Sequence, residues 1–153
     1  MVANLHLRDY VRLNMEYNIR TFNSHDIERI RGFLDLATDS KKGERYKSLV
    51  RLKNDLAYAD IVLPEEMPGN VVTMNSRIRI DNASSKGTEE ITLVFPQEAD
   101  YNQGKVSLLA PLGAALLGCR QGDTVTYIAP GGEVMVKIME ILYQPEANGD
   151  FTA

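Results

Sequence analysis

Two prolines, Pro64 and Pro68, constrain this chain more than any other feature. Proline lacks the amide hydrogen that a helix needs and disfavours helical backbone in the residue before it. No helix can therefore run through residues 63–69. The segments on either side differ in kind. Residues 1–66 hold 11 basic and 11 acidic side chains, whereas residues 67–153 hold 6 basic, 10 acidic and nine of the eleven glycines. A charge-laced helical part thus precedes a turn-rich β part. The expected organisation is an extension over residues 1–22, a helical pair over 23–63, a linker over 64–70 and a β domain over 71–153.

Within the first part, Leu5, Leu7, Val11 and Leu13 hold no sustained helical face. Residues 1–14 read as a poorly ordered extension, and Met15 as a candidate second start. Ser24 suits an N-cap, and Asp26 and Glu28 place negative charge in a first turn. Ile27, Ile30, Leu34 and Ala37 follow at heptad-like spacing, predicting a helix over residues 25–38. Asp39-Ser40-Lys41-Lys42-Gly43 is a polar turn. Leu49, Leu52, Leu56 and Ala59 form a second seam, predicting a helix over residues 44–60. A turn this short makes the two helices antiparallel neighbours, a short hairpin of coiled-coil character.

The second part reads as short strands. Residues 71–80 are β-rich, and Arg77-Ile78-Arg79-Ile80 alternates as a half-buried strand does. Residues 84–87 form a loop. Further strands are predicted over 90–95, 105–109, 124–128 and 133–143. On the last, Val134, Val136, Ile138 and Glu140 share one face. Pro111 suits a first helical turn and Gly118 a position just past a helix end, framing a short helix over 112–117. The tail from Gln144 is polar and is expected to fray. Five antiparallel strands with one short helix, preceded by the hairpin, make an α+β chain.

Chemistry of its own is sparse. The sequence lacks a phosphate-binding P-loop and a dinucleotide fingerprint. His6 and His25 are the two histidines, neither at metal-ligand spacing from Cys119. Cys119, the single cysteine, cannot close an internal disulfide and reads as a small apolar filler. The net charge of −4 argues against direct holding of DNA, RNA or an anionic membrane by bulk charge. No apolar run approaches a membrane span of roughly 20 residues. No basic segment leads into an apolar one at the start, so a cytoplasmic protein is expected. An independent active site and a small-molecule substrate are not expected.

Val106-Ser107-Leu108-Leu109-Ala110-Pro111-Leu112-Gly113-Ala114-Ala115-Leu116-Leu117-Gly118, followed by Gly122-Asp123, resembles the C-terminal domain of the Gre transcript-cleavage factors. Pro64-Glu65-Glu66-Met67-Pro68, Val71-Val72-Thr73-Met74-Asn75-Ser76, Gln144-Pro145-Glu146-Ala147 and Gly149-Asp150 are similar to its shortened-hairpin branch, the Rnk-type regulators of nucleoside diphosphate kinase. The resemblance covers residues 18–151. It implies an FKBP-like β domain that grips RNA polymerase at the rim of the secondary channel, with the hairpin pointing down it. The contact region it implies is Ser107, Pro111, Leu112, Gly113, Leu116 and Leu117.

In the Gre family, two acidic residues at the hairpin tip help hold a polymerase magnesium ion that activates water. Here Asp39 is followed three residues later by Lys42, where the family has a carboxylate. From Asp35 to Lys47 inclusive there are four basic and three acidic side chains. Lys41 and Lys42 would oppose a cation. The expectation is therefore a noncatalytic regulator, with no catalytic residue, metal or cofactor of its own, that competes with cleavage factors on the polymerase. DNA and RNA would be reached through the polymerase alone. An active cleavage factor using Asp35, Asp39 or Glu44 with polymerase magnesium is the first alternative. A prolyl isomerase is the second, weakened by a composition without Trp and with four Phe.

Overall fold

A computed structural model describes residues 19–38, 43–83 and 87–152. The expectations for residues 1–14, for Met15, and for residues 39–42 and 84–86 fall outside that range. The described chain is α+β. It opens with strand β1 (Thr21–Asn23), followed by helices α1 (Ile27–Thr38) and α2 (Gly43–Ala57) and strand β2 (Asp60–Val62). β1 and β2 pair in parallel, with Thr21 opposite Asp60 and Asn23 opposite Val62. The helices run in opposite directions, since Asp35 of α1 meets Lys53 of α2 at 2.8 Å. Both predicted seams are inside: Ile27, Ile30 and Leu34 face Leu49, Leu52 and Leu56 in one core. At ~0.025 kcal/mol per Å² of apolar surface removed from water, each such side chain contributes about 1.5–3 kcal/mol.

Two limits differ from expectation, and the β1–β2 pair explains both. α1 starts at Ile27 because Asn23 Oδ1 accepts the His25 amide at 2.8 Å and holds residues 23–26 in a turn. α2 stops at Ala57 because the Asp60 amide is drawn to the Arg20 carbonyl at 3.0 Å. Phe22, assigned to the extension, is a core residue, 2 % exposed.

After a 3-10 turn at Pro64–Glu66, the chain builds a five-stranded sheet in the order β5-β4-β3-β7-β6. Its strands are β3 (Arg77–Asn82), β4 (Gly87–Val94), β5 (Lys105–Ser107), β6 (Thr124–Ala129) and β7 (Gly132–Tyr143). Helix α3 (Pro111–Leu116) carries the chain from β5 at one edge to β6 at the other. Residues 71–76 are an irregular buried segment rather than a strand. Their backbone groups go elsewhere: the Val72 amide donates to Cys119 O at 2.8 Å and the Asn75 amide to Leu93 O at 2.6 Å.

Within the five-stranded sheet, one pairing is not antiparallel. β5 lies parallel to β4, because the 3-10 turns Pro96–Glu98 and Tyr101–Gln103 carry the chain back before it re-enters the sheet. The face expected for β7 also breaks. A register irregularity between Arg79 and Ile80 leaves Val136 and Ile138 inside but turns Glu140 outward. There it accepts from Arg79 at 2.8 Å, with Glu90 on the other side of the same guanidinium at 3.9 Å. The helical pair and the sheet share one core. Phe33 of α1 stacks near Phe95, with centroids 5.7 Å apart, and the Arg29 guanidinium lies 3.8 Å over the same ring.

Candidate functional site

The loop after β5 and helix α3 form one tightly determined unit. The Ser107 hydroxyl accepts the Leu109 amide at 3.0 Å and the Ser107 carbonyl accepts the Ala110 amide at 3.0 Å. Pro111 then opens the helix at its first position, where no amide hydrogen is required. Gly113 follows because a Cβ there would collide with the Ser107 carbonyl. Leu116 and Leu117 point into the core, at 0 % and 2 % exposure. Of the six residues assigned to partner contact, Leu116, Leu117 and Gly113 therefore build the unit from within. Ser107, Pro111 and Leu112 remain half-exposed as its surface.

Two clamps hold this unit to the rest of the chain. The first is Arg20, which is 5 % exposed. Its Nε donates to Asp55 of α2 at 2.9 Å, and its Nη1 donates to the Ala114 and Leu117 carbonyls at the end of α3, at 2.5 and 3.1 Å. One guanidinium thus ties β1, α2 and α3 together. β1 also comes close enough to take the left-handed Gly118, φ 82°, against Phe22 and Arg20. Arg120 adds a parallel link, donating to Ile19 O at 3.1 Å and Thr21 Oγ1 at 3.2 Å.

The second clamp is the C-terminal tail, which does not fray. Gln144 is 2 % exposed and donates to the carbonyls of Pro68 at 2.7 Å and Val71 at 2.8 Å. Glu146, 7 % exposed, accepts from Asn23 at 2.9 Å and Thr73 at 2.8 Å. Asp26, 6 % exposed, stands beside it at the start of α1. Burial and the Glu146 charge push the Asp26 carboxyl up to about 6, against the pull of His25 and Arg29.

The hairpin end is only partly described. Asp35 is exposed in the last turn of α1 and paired with Lys53. Asp39, Lys41 and Lys42 lie outside the described residues, and Glu44 stands in the first turn of α2. Among the described residues, no three His, Cys, Asp or Glu side chains converge on one point. Cys119 is the filler its position implied. Burial pushes its thiol up, and its Sγ lies 3.3 Å from the Ala115 carbonyl oxygen.

A cleft of about 460 Å³ opens between α2, α3 and β6. Lys47, Arg51, the Arg20–Asp55 pair, Pro111, Ala115 and residues 124–128 are among the residues that line it. Sequence reasoning missed Arg20, Glu146 and this cleft. Arg20 carries no local signal, because a lone arginine ordinarily reads as solvated. Glu146 did carry one, as part of Gln144-Pro145-Glu146-Ala147.

Residues 67–143 match a family described as transcription elongation factor, GreA/GreB, C-terminal. The regulator of nucleoside diphosphate kinase of Escherichia coli K12 is 44% identical over 101 residues, covering 65% of this chain and 74% of that protein. Transcription elongation factor GreA of Shouchella clausii is 31% identical over 137 residues, covering 83% of this chain and 87% of that one. A solved GreA/GreB elongation factor from Nitrosomonas europaea superposes with a TM-score of 0.65 at 38% identity. It covers 81% of this chain and 99% of that chain.

Proposed function

The chain belongs to the GreA/GreB family of transcription elongation factors, and from that premise we propose that it is a noncatalytic regulator of RNA polymerase. In this reading α1 and α2 are a shortened hairpin, and the sheet with α3 is an FKBP-like domain. The domain docks near the secondary channel of the polymerase and excludes cleavage factors by occupying their footprint. Competition needs an overlapping contact surface and no chemistry. The half-exposed Ser107–Pro111–Leu112 turn, held rigid by α3 and Arg20, supplies such a surface.

The observation that carries this reading is the chemistry of the hairpin end. Asp39 is followed by Lys41 and Lys42, a donor set that does not fit magnesium, which takes hard oxygen ligands. The one described carboxylate nearby, Asp35, is engaged by Lys53. α1 has 12 residues, or about 18 Å of helix at 1.5 Å per residue, so its reach is short. The isomerase alternative gains little, since Tyr127 is the one aromatic side chain among the residues lining the 460 Å³ cleft. The relative named a regulator of nucleoside diphosphate kinase supports a regulatory role. An effect on that enzyme would act through its expression.

The test uses stalled polymerase complexes with magnesium, following RNA length. The protein alone should leave the RNA intact, and adding it to a cleavage factor should suppress that factor's cleavage. Shortening of RNA by this protein alone, abolished by Asp39→Ala with Glu44→Ala, would establish the cleavage alternative. Absence of any binding to the polymerase would overturn the docking reading.

A further inference from the structure

The two edges of the five-stranded sheet are guarded very differently. At one edge, β5 is three residues long and begins with Lys105. At the other, β6 runs six residues, Thr-Val-Thr-Tyr-Ile-Ala, with no charge and no proline. An edge of that composition is an open template for another strand unless something covers it.

The hydrogen-bond pattern fixes what is open. Ala129 and Gly132 close a two-residue hairpin loop, and the Ile138 amide donates to Asp123 O at 2.9 Å. Residues 123, 125, 127 and 129 are thereby the ones bonded to β7. The amides and carbonyls of Thr124, Thr126 and Ile128 point the other way. Among the described residues, none of these backbone groups makes a backbone hydrogen bond beyond the β6–β7 ladder. They face the 460 Å³ cleft, so α2 and α3 stand beside the edge without sealing it.

The surroundings of the edge differ on its two sides. Toward the helices stand Lys47 and Arg51, both exposed, whereas Arg20 is neutralised by Asp55. Glu133 lies at the far end of the cleft, opposite Ile128 in the hairpin. Toward the outer sheet face stand Thr124, Thr126 and Ile128 of β6, the last at 36% exposure, with Met135 of β7, at 57%, one strand further in. A strand laid against β6 would place alternate side chains on these two sides. We infer that the β6 edge is a docking site for an extended partner peptide in which acidic residues alternate with apolar ones, added to the sheet as a sixth strand. Its acidic side chains meet Lys47 and Arg51, and its apolar side chains pack beside Ile128, the apolar residue of β6 on the outer face. Its backbone takes up the outward groups of Thr124, Thr126 and Ile128.

A second copy of this chain is the poorer occupant. Pairing β6 with β6 about a two-fold axis would bring Lys47 and Arg51 of both copies to one junction, where like charges oppose each other. The inference goes beyond polymerase docking and is tested without the polymerase.

The probe is an end-blocked peptide of alternating valine and glutamate, titrated into the full ¹⁵N-labelled chain, with an alternating valine–lysine peptide as its counterpart. The acidic peptide should bind and shift the amides of Thr124, Thr126 and Ile128, and the basic one should not. Lys47→Glu with Arg51→Glu, both at exposed positions, should weaken binding about ten-fold. Thr126→Pro, which deletes one outward amide and no ladder bond, should weaken it further. Failure of the acidic peptide to bind, shifts confined to other strands, or equal affinity for the two peptides would overturn the proposal. So would a concentration-dependent doubling of mass that the acidic peptide does not reverse. The Lys47/Arg51 pair keeps the test decisive if the proline variant does not fold.

Discussion

Asp26 shows how one residue can couple folding to pH. Its carboxyl is buried beside Glu146 and titrates at about 6 rather than at its ordinary 3.8. The folded chain therefore holds a proton that the unfolded chain releases between these values. That contribution is fully present below about pH 4 and is lost as pH rises through 6. The melting temperature should accordingly fall between about pH 4 and 6.5 and level off above that. Asp26→Asn should flatten that slope and raise stability at pH 8 by on the order of 1–2 kcal/mol, allowing for the solvent that still reaches the carboxyl. Thermal melts across pH check this, and an unchanged slope would remove Asp26 as its source. Gly113 is the second decisive residue. A Cβ there meets the Ser107 carbonyl, so Gly113→Ala must push β5 and α3 apart. A loss of about 1–3 kcal/mol is expected, read as a lowered urea midpoint.

At the scale of elements, Arg20 matters more than its place in the sequence implies. It satisfies carbonyls at the end of α3 and an aspartate of α2 at once. Arg20→Met keeps the bulk but leaves those carbonyls buried without that donor and Asp55 without its partner. The cost should be about 2–4 kcal/mol, and amide exchange should quicken in α2 and α3 before it quickens in β3 and β7. Uniform quickening throughout would mean that the clamp is not local. The α1–α2 pair illustrates the opposite case. Its seam of Ile27, Ile30, Leu34, Leu49, Leu52 and Leu56 is legible from spacing alone, because helical period and burial coincide there. Its outer limits, the start of α1 and the end of α2, were not legible. They are set by the pairing of β1 with β2, two three-residue strands too short to carry a periodic signal.

For the whole molecule, the helical pair, the α3 unit and the sheet share one core, so any partner would meet a preformed surface. Leu112→Glu places a charge on that surface while leaving Leu116 and Leu117 buried. It should abolish suppression of cleavage in the stalled-complex assay at a stability cost of about 1 kcal/mol. Retained competition with unaltered folding would move the docking surface away from this turn. Among the described residues no helix is long and apolar enough to cross a membrane.

The two-part plan, the apolar seams, the glycine and proline positions around α3, and the family are all encoded locally. Each of these is carried by neighbours within a few residues, where backbone sterics and periodicity act directly. Long-range packing alone settles that Arg20 caps the end of α3 and pairs with Asp55 of α2, that β5 runs parallel to β4, and that the polar tail is buried on Asn23 and Thr73. It alone left β6 open beside two basic side chains. These outcomes join residues as far apart as 97 and 123 positions, and no local pattern encodes which distant carbonyl or carboxylate will need a partner. They follow from the requirement that every polar group the core buries must find one.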